Sequence, residues 1–171
     1  MQATTAQILI VPPFYENLGK RLIKSPKVYL ADSGLACHLL GIDSPAELAK
    51  SPFLGALFEG FIAAEMIKAQ TNRGRRPELY YFRDEQGLEV DFLMPRANGA
   101  VAFVECKAAR TVTPAMAVPM QRLAEALRKK RPRGTRVEMS LVHQRPTTPA
   151  ATQAVAGGVR AWAWQDFVRQ L

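Results

Sequence analysis

Leu88-Glu89-Val90-Asp91-Phe92-Leu93-Met94, then Asn98-Gly99, then Ala100-Val101-Ala102-Phe103-Val104-Glu105-Cys106-Lys107 is the stretch whose reading decides the fold. Both runs are apolar with charges set into them, and Asn-Gly between such runs is a hairpin signal. Alternation along a strand puts Glu105 and Lys107 on one face and Cys106 on the other. Loop length then decides whether Asp91 joins them. A two-residue Asn98-Gly99 loop places Asp91 opposite Cys106. A three-residue loop, Ala97-Asn98-Gly99 with Gly99 left-handed, places Asp91 opposite Glu105 on a shared face and Glu89 opposite Lys107. The three-residue loop is the expected one.

Directly opposed side chains have Cβ atoms about 5 Å apart, close enough for two carboxylates to share a divalent cation. Asp91, Glu105 and a backbone carbonyl such as that of Cys106 offer hard oxygen ligands for Mg2+ or Mn2+. Such a metal generates hydroxide and stabilises charge developing on a phosphodiester, with Lys107 orienting the attacking water or neutralising the phosphate. The competing reading is a salt-bridge ladder of Glu89 and Glu105 with Lys107 on a solvated sheet face.

Outward from the hairpin, Leu79–Phe82 reads as a strand and Asp84–Gly87 as a turn. Upstream, Ser51-Pro52 opens a helix in which Leu54, Leu57, Phe58, Phe61, Ile62, Met66 and Ile67 recur at spacings of three and four, as one buried stripe. Thr71–Pro77 is a basic loop with Arg73, Arg75 and Arg76. Further back, Lys27–Leu30 reads as a short strand, followed by an Asp32-Ser33-Gly34 cap on a helix that Gly41 closes. Downstream come a helix over about Ala117–Lys130, a strand Val137–Val142, a loop Gln144–Gly158, a strand Val159–Trp164 and a closing helical turn. Met1–Pro13, ending in Pro12-Pro13, suits a connector better than a first element. The period changes from 3.6 to 2 in mid-chain, so the fold class is mixed α/β, with a connector at 1–12 and one domain over 13–171.

The 171 residues carry 23 Lys and Arg against 15 Asp and Glu, a formal charge of +8, with 48% hydrophobic residues. That balance is globular, not disordered. Two cysteines, Cys37 and Cys106, make no disulfide framework, and no apolar run approaches a membrane span, so a cytoplasmic protein without membrane partners is expected. The basic excess favours polyanions such as nucleic acid. Much of it sits in Arg73, Arg75 and Arg76 and in Arg128, Lys129, Lys130 and Arg131, which are candidate phosphate-backbone contacts. The helix dipole offers the plainer reason for cations at the second place. His38 and His143 lack partners at zinc spacing, and no GxxxxGK[ST] segment is present, so this chain offers no ATP site of that kind.

Asp91 followed across a hairpin by Glu105-Cys106-Lys107 resembles the PD-(D/E)xK nuclease superfamily. Longer stretches sharpen the likeness: Pro13-Phe14-Tyr15-Glu16-Asn17-Leu18-Gly19-Lys20-Arg21-Leu22, Ser25–Ala36, Gly55-Ala56-Leu57-Phe58-Glu59, Tyr80–Asp84, Glu89–Phe92 and Trp164-Gln165-Asp166-Phe167. Over residues 12–171 they resemble an uncharacterised C-terminal domain of bacterial and archaeal AAA-type ATP-binding proteins. The resemblance implies a restriction-endonuclease-like core, a mixed central sheet flanked by helices with a helical N-terminal extension, and an ATPase domain elsewhere in a longer protein. It adds Glu59 to the metal ligands Asp91 and Glu105, with Lys107 catalytic. Gln121 matches part of a further motif, which Glu125 leaves incomplete. Two functions stand: a magnesium-dependent nuclease-like domain, or an inactive DNA-binding or protein-interaction module of the ATPase. Oligomeric state, substrate and pathway are not legible.

Overall fold

The computed structural model describes residues 7–14, 25–130, 135–144 and 154–171. Its centre is a six-stranded mixed sheet in the order β3-β4-β5-β6-β8-β7, formed by β3 (Tyr80–Arg83), β4 (Glu89–Pro95), β5 (Val101–Lys107), β6 (Val137–His143), β7 (Ala154–Ala156) and β8 (Val159–Ala163). β3, β4 and β5 form antiparallel hairpins, whereas β5, β6 and β8 run parallel. β5 and β6 are joined through helix α4 (Val118–Lys130), the long crossover a parallel pair requires. α4 covers one face with Met120, Leu123 and Leu127, packed on Leu93, Phe103 and Leu141. Helix α3 (Leu54–Thr71) and the C-terminal helix α5 (Trp164–Gln170) cover the other, packed on Phe92, Val104, Cys106 and Val142.

The central hairpin has the expected register. Phe92 pairs with Val104 and Pro95 with Val101, around a 3-10 turn Ala97–Gly99 in which Gly99 takes φ 72°. α3 departs from the single stripe read from its sequence. Phe58, Gly60, Ile62, Ala63, Ala64, Met66 and Ile67 are all buried, so its second half is enclosed on several sides.

The segment expected to be a connector contains a strand. β1 (Ile8–Val11) pairs antiparallel with β2 (Lys27–Leu30) and sends Leu9 and Val11 into the core. Past it, Phe14 N–H donates to Tyr81 O and Tyr81 N–H to Pro12 O, so the N-terminal segment is stitched to the edge of β3. The N-terminal part is therefore a two-stranded sheet with helices α1 (Ser33–Leu39, capped by Asp32) and α2 (Pro45–Lys50), and is not purely helical. α2 has no buried residue, which is why hydrophobic periodicity does not reveal it. Within the loop expected over Gln144–Gly158, β7 forms at the sheet edge, and residues 145–153 lie outside the described ones. No helix among the described residues is long and apolar enough to cross a membrane.

Candidate functional site

Asp91 owes its position to a β-bulge. Tyr80 pairs with Leu93 but Phe82 pairs with Val90, so Asp91 and Phe92 together oppose Tyr81. Val90 and Leu93 consequently point to the α4 face while Phe92 points to the α3 face. The β4–β5 ladder ends at Phe92–Val104, and beyond it Asp91 Oδ2 accepts the Cys106 N–H at 2.8 Å. A side-chain carboxylate thus takes the place of the next backbone acceptor, between the two strands.

This corrects the expectation of one shared face. Glu105 alternates with Val104 and Cys106, so it leaves its strand on the α4 side, whereas the bulge turns Asp91 into the gap and toward α3. The two carboxyls act on each other across the end of the ladder. Burial first, then the charges of Glu105 and Glu59, push the Asp91 carboxyl up to about 7, against the opposing pull of Lys27. Burial also raises the Glu105 carboxyl, against Lys107, the Asp91 N–H and Lys27. Glu105 Oε1 pairs with Lys107 Nζ at 2.7 Å, while Oε2 is buried and accepts no hydrogen bond among the described residues.

Glu59, on the first half of α3, does reach this cluster, through a residue that periodicity and motif both passed over. Lys27 Nζ lies 2.6 Å from Glu59 Oε1, 2.7 Å from Glu89 Oε1 and 3.4 Å from Asp91 Oδ1. Burial works against the Lys27 ammonium, but Asp91 and Glu59 outweigh it and hold the pKa above its ordinary value. Tyr29 O–H donates to Glu59, and burial and that carboxylate keep the phenol protonated. The signal was present in β2 but inverted: Lys27 and Tyr29 face inward while Val28 and Leu30 face out. A strand read for its apolar face points the other way.

Glu89 does not oppose Lys107. Arg83 grips it through two hydrogen bonds of 2.7 Å, and Arg83 and Lys27 lower its carboxyl although burial raises it. Among the described residues Lys107 pairs with Glu105, and it keeps its proton, since burial that would lower its pKa is outweighed by that carboxylate. Burial and the nearby carboxylates push the Cys106 thiol up, leaving an inert core residue. Gln121 bonds Gly157 O instead of joining the site.

Four carboxylates, Glu59, Glu89, Asp91 and Glu105, therefore meet three cations, Lys27, Arg83 and Lys107. One carboxyl group is in excess, and the raised Asp91 carboxyl is the one that holds a proton most readily. Among the described residues no three His, Cys, Asp or Glu side chains converge closely enough to enclose a metal ion. The Lys27 ammonium already stands among three of the carboxylates. The carboxylate oxygens, and the unsatisfied, buried Glu105 Oε2 above all, are hard donors of the kind magnesium takes, but they are not gathered around one point.

The basic candidates lie elsewhere. Arg73 is fourteen residues past Glu59 along α3 and its C-terminal turn, about 21 Å at helical rise. It donates to the backbone oxygens of Ala69 and Leu171. Arg75 and Arg76 follow it in the same exposed loop. Arg128, Lys129 and Lys130 end α4 near the start of β6, and Val137 there pairs with Val101, at the far end of β5 from Lys107. Arg131 lies outside the described residues.

A family model described as a domain of unknown function, DUF4143, matches residues 54–148, more than half of the chain, and a second, DUF8612, also of unknown function, matches residues 3–46. Uncharacterized proteins of Mycobacterium bovis and Mycobacterium tuberculosis are each 37% identical over 109 residues, covering 64% of this chain and 23% of the relative. The chain thus spans about a quarter of the length of these relatives. No solved structure matches.

Proposed function

Since this chain belongs to the DUF4143 family, we propose that its acidic cluster is the site of a nuclease-like domain of PD-(D/E)xK type, acting on phosphodiesters of nucleic acid. Asp91 and Glu105, which meet at the end of the ladder, are the residues that would hold Mg2+ or Mn2+, and Glu59 would join them only by giving up Lys27 and Tyr29. The observation that carries this reading is Glu105 Oε2, a buried carboxylate oxygen with no hydrogen-bond partner among the described residues, next to a second carboxyl at the end of the ladder. Native proteins seldom leave such an atom unsatisfied without a use for it. Magnesium, when bound, supplies a polarised water and positive charge for the phosphodiester. Lys107, more exposed than Glu105 and oriented by it, is positioned to hold a phosphate oxygen or the attacking water. Asp91 Oδ2 stays oriented by the Cys106 N–H.

A second reading has its own observation. Lys27 already supplies a cation to Glu59, Glu89 and Asp91, as in an inactive module whose charges tie β2 to α3 and β4. Under either reading the resemblance points to an ATP-binding domain in the longer protein, a proposal in keeping with the length of the mycobacterial relatives. The deciding experiment incubates plasmid and single-stranded DNA with the chain in Mg2+ or Mn2+, beside Asp91→Ala and Lys107→Ala. Cleavage by the native chain that both substitutions abolish is expected. No cleavage in either metal favours the inactive module, and cleavage that survives both substitutions is contamination.

A further inference from the structure

A second and oppositely charged site lies at the other end of the sheet. Arg96 follows β4, Arg136 precedes β6 and Arg160 lies in β8, so three strands deliver an arginine to one cleft of about 440 Å³. That volume is within the range of ligand sites, roughly 300–1,000 Å³. Ser140, Trp162 and one carboxylate, Glu138, also line it, leaving the side-chain charge at two positive. Strand register fixes its distance from the acidic cluster. Its Arg136 end lies where Val101 pairs with Val137, six residues or about 20 Å from the Lys107–His143 pair, whereas Arg160 pairs with Ser140, level with Val104 and two strands, about 10 Å, from β5.

The Arg160 guanidinium lies over the Trp162 ring, 5.1 Å from its centroid, a cation–π contact that steadies it and uses none of its N–H donors on a carboxylate. Neither Arg96 nor Arg160 forms an ion pair among the described residues. Arg136 pairs with Glu138 at 3.4 Å with both side chains well exposed, a bond worth little in water. The Leu171 backbone oxygen on the same wall is taken by Arg73.

We propose that this cleft binds a phosphate group, carried by a free phosphate ester or by a nucleic-acid strand. A carboxylate offers two oxygens in one plane, whereas a phosphate offers three or more set tetrahedrally, enough to meet two guanidinium forks and the Ser140 hydroxyl from different directions. The site is independent of the acidic cluster and of any cleavage there.

The test titrates the chain, in EDTA, with inorganic pyrophosphate and separately with a short single-stranded oligonucleotide, following tryptophan fluorescence. The variants are Arg96→Ser/Arg160→Ser and, as a control for general basicity, Lys50→Gln/Arg122→Gln, two exposed cations away from the cleft. Circular dichroism checks folding, and Arg160→Gln alone replaces the double variant if that fails to fold. Saturable binding is expected, weakened about tenfold or more by loss of the cleft arginines and unaltered in the control. Pyrophosphate that competes with the oligonucleotide identifies one phosphate site open to both sources. Saturation by the oligonucleotide alone assigns the cleft to a strand backbone. Binding of neither probe, or binding that survives loss of both arginines, overturns the proposal. Because EDTA removes divalent metal, either outcome leaves the cleavage assay to be judged by itself.

Discussion

Lys27 holds the carboxylates of Glu59, Glu89 and Asp91 around one ammonium whose side chain is 15% exposed. Replacing it by alanine leaves those charges facing one another. Loss of one partner of a buried ion pair costs about 3–5 kcal/mol, and the part-exposed setting here brings that to about 2–4 kcal/mol. Lys27→Ala is therefore expected to lower Tm by roughly 4–16 °C, and an unchanged melting curve would show that the cluster does not depend on it. Asp91 sets a pH dependence of definite sign. Its carboxyl rises from the ordinary 3.8 to about 7 in the fold, so between those values the folded chain binds more protons than the unfolded one. The stability it contributes is complete below about pH 4 and is lost as pH rises through 7. Asp91→Asn removes that titration. In EDTA, the Tm of the variant relative to the native chain should climb between pH 5 and pH 8, and a flat or falling difference would contradict the assignment. Of these residues Asp91, Glu105 and Lys107 were legible from spacing. Lys27 was not, because its partners come from positions 59, 89 and 91, which no local pattern links to it.

At the level of elements, the β4–β5 hairpin followed from loop length and one glycine. Gly99 has φ 72°, and a Cβ there would meet nothing within 4 Å, so Gly99→Ala tests backbone strain alone. The expected loss is about 1–2 kcal/mol, with Gly99→Asn losing less because Asn tolerates this conformation. Thermal melts that rank alanine above glycine would contradict the left-handed turn. The bulge at Asp91-Phe92 was not legible. Glu89-Val90-Asp91-Phe92 alternates as cleanly as a regular strand, and only pairing with β3 reveals the extra residue. β2 misleads for the opposite reason, since its apolar Val28 and Leu30 are the exposed pair. β1 was hidden behind Pro12-Pro13, which stops a helix but is compatible with an extended segment beside β3.

Across the whole molecule, charge is sorted by the ends of the sheet. Glu59, Glu89, Asp91 and Glu105 gather where β5 ends, while Arg96 and Arg136 lie where β4 ends and β6 begins, with Arg160 level with the middle of β6 and Arg73 nearby through Leu171. The sequence locates much of the net +8 at residues 73–76 and 128–131, a reading that passes over Arg96, Arg136 and Arg160. The alternation of helices and strands placed α4, β6 and β8 because each carries a regular apolar period. Which strands became neighbours, and so which ends acquired which charge, depended on pairings distant in sequence. The central claim is that the acidic end takes a divalent cation. Its most direct test is a calorimetric titration of the metal-free chain with Mn2+, beside Asp91→Asn and Glu105→Gln. A single saturable site, weakened about tenfold or more in both variants, is the predicted result. No saturable binding, or binding that both variants retain, would contradict it.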